Sequence, residues 1–126
     1  GFRADRPGFD FARARHLMGI RDSLKHLLVG SWYPLSPQSL DETLWMASQF
    51  HRDDLDEGFF IAYRRAQSPY ATLTVNLRKI DPAATYTLTD KLTGQTRSLP
   101  GAQLQQEFPV TIANKRAVAL WHYKKR

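Results

Sequence analysis

One short stretch of the chain, HRDDLDEGFF, places four carboxylates next to a histidine: Asp53, Asp54, Asp56 and Glu57 follow His51. Carboxylates beside an imidazole are the groups that hold metal ions or carry out acid–base catalysis. The same residue types are also common in a polar turn that joins two β-strands. The spacing of the residues discriminates among these interpretations.

A calcium site is the first candidate for this stretch. Asp54, Asp56 and Gly58 match part of the spacing of a helix–loop–helix calcium loop. Phe59 then stands where the loop needs its glycine, and no acidic residue follows at the required distance. Neighbouring carboxylates are also poor candidates for a glycosidase pair, which is defined by its separation in space. The sequence therefore favours a solvated turn between two strands, with Gly58 easing entry into the second strand.

Other catalytic and cofactor chemistry finds little support in the sequence. The absence of cysteine excludes disulfides, thiolate catalysis and thiolate zinc sites, and leaves the compartment open. Neither a Gly-x-Ser-x-Gly elbow nor a glycine-rich phosphate loop is present. The histidines lack the spacing of zinc ligands: His16, His26, His51 and His122. We therefore predict no catalytic residue, no metal and no cofactor.

Composition indicates an ordinary folded domain. The chain has 126 residues, of which 42% are hydrophobic and 24% charged, and its net charge is +6. We expect no membrane partner, because no apolar run approaches the roughly 20 residues that a membrane span needs. We expect no nucleic-acid partner, because the basic residues are scattered rather than clustered with aromatic residues. They include Arg13, Arg15, Arg21, Lys25, Arg64, Arg65, Lys124, Lys125 and Arg126.

The pattern of apolar residues divides the chain into two regions, 1–42 and 43–126. The first region is predicted to be irregular over 1–9, with Asp10 as the N-cap of an amphipathic helix that ends near Gly30. The apolar stripe of this helix is Leu17, Ile20, Leu24, Leu27 and Leu28. The proline-containing stretch SWYPLSPQSLDE follows it and is predicted to be an extended connector.

The second region is predicted to be an antiparallel β-sandwich of the Greek-key type with about seven or eight strands. Alternation is clearest in YATLTVNL, where apolar residues alternate with Thr72, Thr74 and Asn76. Tyr86 and Leu88 are likewise interleaved with threonines, and Gly94 suits the hairpin turn that follows. GAQLQQ is expected to form at most one helical turn. The predicted strands are TLWMASQFH, GFFIAYRR, YATLTVNL, ATYTLTD, TRSLP, FPVTI and RAVALWHY.

Aromatic residues offer a second kind of candidate site. Trp32, Tyr33, Trp45 and Trp121 could stack on sugar rings if they were exposed together. The alternative is that they fill the core, which is where large aromatic residues within strand patterns usually lie. We retain these four as candidate carbohydrate contacts.

One segment of the chain resembles a known enzyme family. The stretch from Trp32 to Arg65 resembles the segment that leaves the catalytic barrel of family 36 glycoside hydrolases, the α-galactosidase group. The resemblance continues in the later stretch LRKIDPAATYTLTDKLTGQ and extends over about residues 10–120. The matching elements are YPLSP at 33–37, WMASQF at 45–50, EG at 57–58, RR at 64–65, DP at 81–82, Tyr86, Asp90 and TG at 93–94.

The resemblance implies an accessory role for the chain. The family's catalytic aspartates lie on barrel strands, upstream of the matching region, so none of them maps onto this chain. Residues 10–30 would correspond to the last helix of the barrel or its neighbour, and 43–124 to the terminal β-sandwich. The expected partner is then the catalytic barrel of the parent chain. The isolated domain is also expected to form a homodimer, and a direct carbohydrate-binding function is the alternative.

Overall fold

The computed structural model describes residues 10–113 and 117–126. The predicted irregular start at 1–9 and Arg116, the first residue of the last predicted strand, lie outside the described residues. No helix in the described ranges is long and apolar enough to cross a membrane. In chain order the elements are α1 (Phe11–Leu24), β1 (Ser31–Pro34), β2 (Met46–Arg52), β3 (Glu57–Arg64), β4 (Thr72–Val75), β5 (Thr85–Asp90), β6 (Thr96–Pro100), α2 (Gly101–Gln106), β7 (Phe108–Thr111) and β8 (Ala117–Lys125).

The strands form two antiparallel sheets, which confirms the predicted mainly-β sandwich. The larger sheet has the order β1-β2-β3-β8-β5-β6, and β4 pairs with β7 in the smaller one. Strand β8 lies between β3 and β5, so the chain returns to the middle of the large sheet at its end. Such a non-sequential order is the kind that Greek-key connections produce.

The inner face of the large sheet packs against the small sheet and forms the main core. Phe60 of β3 meets Phe108 of β7 edge to face, with 5.7 Å between ring centroids. Tyr86 and Leu88 are both buried in this core, as their alternation with threonines predicted. The turn that follows them contains Gly94 at a φ of 82°, which confirms the predicted hairpin glycine.

The outer face of the large sheet is partly covered by the N-terminal helical segment. Asp10 caps α1 as predicted, accepting a hydrogen bond from the backbone N–H of Arg13 at 2.9 Å. Ile20, Leu24 and Leu27 form a second buried cluster, which includes Phe59 of β3. Three of the five residues of the predicted stripe therefore pack on the sandwich, and Leu17 is only partly buried.

Leu28 is an exception to the predicted stripe, because it is half exposed. The α-helix ends at Leu24 and continues as a 3₁₀ turn, Lys25–Leu27. A 3₁₀ turn has three residues per turn rather than 3.6, so it rotates the following residue away from the stripe. The period of an uninterrupted α-helix could not predict this change.

Two further expectations need correction. The beginning of the predicted connector, Ser31–Pro34, is strand β1, which pairs with β2 from Ser31 opposite His51 to Pro34 opposite Ser48. Proline is tolerated there because β1 is an edge strand, where a missing N–H breaks no central ladder. GAQLQQ forms a six-residue helix, α2, rather than at most one turn.

Gly58 illustrates how tightly the large sheet is packed. It lies opposite His51 of β2 on one side and Tyr123 of β8 on the other. A Cβ atom at this position would collide with the Tyr123 hydroxyl and with the backbone carbonyl of Phe50. Glycine is needed here for the space it leaves, since its backbone has no positive φ.

Replacing Gly58 by Ala should therefore lower the free energy of unfolding by about 1–3 kcal/mol, the usual cost of overpacking. Gly19→Ala is the matched control, because nothing lies within 4 Å of a Cβ atom there. Alanine in the middle of α1 should stabilise the protein by up to about 1 kcal/mol. Urea denaturation measures both changes, and a Gly58→Ala variant as stable as the wild type would contradict this packing.

Candidate functional site

The acidic stretch forms the turn between β2 and β3, as its composition predicted. Asp53, Asp54 and Asp56 are all exposed on this turn. The backbone N–H of Asp56 donates to the carbonyl of Asp53, and Asp56 itself has a φ of 48°. The left-handed residue of the turn is thus an aspartate, whereas Gly58, which was predicted to ease entry into the second strand, has no positive φ.

Glu57 behaves differently from the three aspartates. It is the first residue of β3, it is only 7% exposed, and its carboxylate lies on the outer face of the sheet. One oxygen, Oε2, lies 2.6 Å from Nε2 of His122 on β8 and 3.2 Å from Nε2 of His26 in the 3₁₀ turn. Lys124 places its ammonium 4.0 Å from the other oxygen. A single carboxylate therefore links two strands of the sheet to the helical segment.

The charge state of Glu57 follows from these contacts. Burial pushes the pKa of the carboxyl group upward, but the hydrogen bonds from His122 and His26 outweigh burial and lower the pKa overall. The side chain is thus a carboxylate at neutral pH. Since a carboxylate only accepts hydrogen bonds, both imidazoles donate to it from Nε2.

A second contact reinforces the attachment of the helical segment. Arg52, at the end of β2, donates from Nη1 to the backbone carbonyl of His26 at 3.1 Å. Asp54 in the acidic turn orients this guanidinium through bonds to Nε at 3.1 Å and Nη2 at 2.5 Å. The hydrogen bond from Arg52 lowers the pKa of the Asp54 carboxyl group. We call these five residues, His26, Arg52, Asp54, Glu57 and His122, the helix clasp.

The histidine of the stretch belongs to a separate network on the inner face. His51 is 3% exposed, and its Nδ1 lies 2.7 Å from the hydroxyl of Tyr123. That hydroxyl accepts a hydrogen bond from Nε2 of Gln49, also at 2.7 Å. The hydroxyl proton is therefore directed to His51 Nδ1, which leaves His51 Nε2 to donate to Asp53 at 3.2 Å.

Burial keeps the titratable groups of this network uncharged near neutral pH. Burial lowers the pKa of His51, although the charges of Asp53 and Asp56 oppose this effect. Burial also raises the pKa of Tyr123 well above its ordinary value, so its hydroxyl does not ionise near neutral pH. Gln49 further anchors the chain by bonding both the N–H and the carbonyl of Arg78. The arrangement suits a fixed structural role.

Metal binding has little support in the geometry. Within residues 10–113 and 117–126, no group of three or more His, Cys, Asp or Glu side chains is arranged to hold a metal ion.

Sequence spacing did not reveal that His26 and His122 meet at one carboxylate. They lie 31 and 65 residues from Glu57, and only the folded chain brings them together.

The four candidate carbohydrate contacts do not form one platform. Trp32 on edge strand β1 is 49% exposed, whereas Trp45 is 5% exposed and donates its indole N–H to the carbonyl of Tyr70. Tyr33 lies under the guanidinium of Arg78, and Trp121 packs against the main core. Trp32 and Tyr33 are neighbours in one strand, so their side chains lie on opposite faces. Sugar contact by these residues stays a prediction.

Comparison with known proteins places the fold in context. No protein-family model matches the chain, and no curated protein matches its sequence. The structure is similar to the galactosidase domain of alpha-galactosidase-sucrose kinase, AgaSK, with a TM-score of 0.73 and 20% sequence identity. The match covers 94% of this chain but only 17% of that chain. The helix-plus-sandwich fold implied by the family resemblance is thus found within a galactosidase domain.

Glu57→Gln should lower the free energy of unfolding at pH 7 by about 1–3 kcal/mol, because it replaces the charged acceptor of two imidazoles. The pKa of Glu57 is lower in the folded than in the unfolded protein. The stabilisation that Glu57 provides is therefore present above the pKa it has in the unfolded chain. It is lost as the pH falls through the pKa that Glu57 has in the folded protein. Urea denaturation should show the deficit of the variant shrinking below about pH 4.3.

Asp56→Asn is the control for Glu57→Gln, since Asp56 is exposed and asparagine tolerates positive φ. It should change stability by less than about 0.5 kcal/mol. A Glu57→Gln deficit that is absent at pH 7, or equal at every pH, would contradict the ionised clasp.

His51→Asn should flatten the dependence of stability on pH. The pKa of His51 is lowered in the folded protein, so the unfolded chain takes up the proton first as the pH falls. Wild-type stability should consequently decline below about pH 6.5, and the variant should lose part of this slope. The control variant His16→Asn, on the exposed face of α1, should keep the slope of the wild type. Thermal unfolding between about pH 5 and 8 measures the three slopes, and identical slopes would refute the assignment.

Proposed function

We propose that this chain is the C-terminal part of a larger glycoside hydrolase resembling the family 36 α-galactosidases. In this proposal α1 corresponds to the end of the catalytic barrel, and the sandwich is an accessory domain that packs against that barrel. The observation that carries the proposal is the fold match to a galactosidase domain over 94% of the chain. The ordered motifs from 33–37 to 93–94 support the same family independently of the fold.

The proposed role of this region is structural rather than catalytic. Glycoside hydrolysis uses two carboxyl groups that flank the scissile bond. Here Glu57 is held by two imidazoles, and the aspartates of the turn are exposed, with Asp54 paired with Arg52. His51 and Tyr123 are buried and bonded to each other. These contacts support an accessory domain whose polar residues maintain its own structure.

The coding sequence before Gly1 and an activity assay test this proposal. A barrel with two suitably placed aspartates should precede the region, and the longer polypeptide should hydrolyse an aryl α-galactoside. The 126-residue chain should not hydrolyse it. Asp54→Asn with Asp56→Asn, made in the longer polypeptide, should leave kcat within about twofold, because surface charges far from the chemistry change little.

Two outcomes would contradict the proposed function. One is a coding sequence without a barrel domain. The other is α-galactosidase activity in the 126-residue chain that the double asparagine variant abolishes, which would make the acidic turn catalytic.

Direct carbohydrate binding remains the alternative, and the exposed ring of Trp32 is the observation that favours it. It is the weaker candidate because sugar platforms generally need more than one exposed ring, and Trp45 is buried. Titration with galactosides while tryptophan fluorescence is followed tests it, with Trp32→Phe as the control. A saturable change that the substitution removes would support the alternative, and no change at millimolar sugar would exclude it.

A further inference from the structure

The outer face of the large sheet has two halves of different character. On β5 and β6 its residues are polar or proline: Thr85, Thr87, Thr89, Thr96, Ser98 and Pro100. This is the usual composition of a sheet face that meets water. On β2, β3 and β8 the same face carries Ser48, Leu120 of the covered cluster, and four further apolar residues. These four are Met46, Ile61, Tyr63 and Val118, which we call the open apolar patch.

The open apolar patch is a continuous surface. Met46, Tyr63 and Val118 lie directly opposite one another across three adjacent strands, and Ile61 lies two residues along β3 on the same face. None of the four packs against either hydrophobic cluster of the described residues. Tyr63 is 49% exposed although β3 is a central strand of the sheet, and the other three residues of the patch are half-buried.

The helical segment covers one part of this outer face. Ile20, Leu24 and Leu27 bury the neighbouring outer-face residues Phe50 and Phe59. The open apolar patch continues that covered area along β2, β3 and β8. The contrast with the threonine half indicates that the patch is composed for burial, because apolar surface left in water is unfavourable.

Charge indicates what kind of surface covers it. The helical segment on the same side of the sheet exposes four basic side chains and one acidic one: Arg13, Arg15, Arg21, Lys25 and Asp22. With a net charge of +6, a second copy of the chain would repel the first. The surface of another domain, with acidic side chains around an apolar centre, would complement both the apolar patch and the basic side chains of the helical segment.

We propose that the open apolar patch is where the preceding barrel domain of the parent chain docks, through an apolar surface with an acidic rim. This inference rests on the proposed function and adds to it the location and the chemistry of the interface. The barrel would be connected through α1, which already lies on this face, so docking would be intramolecular and favoured by a high effective concentration.

Single-cysteine labelling tests this location directly, because the chain contains no cysteine. Tyr63→Cys and, as a conservative second site, Val118→Cys are made in the 126-residue chain and in the longer polypeptide. Labelling by a thiol reagent is followed by peptide mass spectrometry. Both sites should label at least about tenfold more slowly in the longer polypeptide, because docking excludes the reagent and solvent. Thr85→Cys, on the polar half of the same face, should label equally in both.

The remaining outcomes overturn the inference in distinguishable ways. Equal labelling of both patch sites in an active longer polypeptide would refute this docking surface and leave the proposed function intact. Labelling in the 126-residue chain that slows with protein concentration would indicate that a second copy covers the patch instead. A coding sequence that lacks a barrel would refute both the proposed function and its interface.

Discussion

The carboxylate of Glu57 is the contact on which the arrangement of this chain depends. It lies at the start of β3, is almost completely buried, and accepts hydrogen bonds from His122 of the sheet and His26 of the helical segment. A buried carboxylate without such partners would be strongly unfavourable. The hydrogen bond from His26 holds the 3₁₀ turn against the sheet, where Leu27 is buried.

The two faces of the large sheet use polar residues for opposite purposes. On the outer face the helix clasp fastens a separate element to the sandwich. On the inner face Gln49, His51 and Tyr123 fill a volume that apolar residues occupy elsewhere in the core. Gln49 and His51 both form hydrogen bonds with the hydroxyl of Tyr123. Gly58 lies between His51 and Tyr123 and provides the space that brings them into contact. Such networks favour one fixed packing, because an alternative would leave buried groups without partners.

The local residue pattern predicted the features that depend on neighbouring residues in the sequence. Alternation identified the buried Tyr86 and Leu88, Asp10 was recognised as an N-cap, and Gly94 adopts the positive φ that its turn required. The errors at β1 and at Glu57 occur where distant contacts decide the structure. β1 is a strand because β2 offers it an edge, and Glu57 is buried because two histidines far along the chain converge on it. No pattern within residues 51–60 distinguishes Glu57 from the exposed aspartates beside it.

A double-mutant cycle between His26 and Glu57 tests most directly whether the clasp joins the helical segment to the sandwich. Urea denaturation at neutral pH would give the free energy of unfolding of the wild type, His26→Ala, Glu57→Gln and the double variant. If the clasp joins the two elements, the coupling between the two sites should be favourable by about 1 kcal/mol. Effects that add to within about 0.3 kcal/mol would show that the two side chains act independently, and would contradict this role of the clasp.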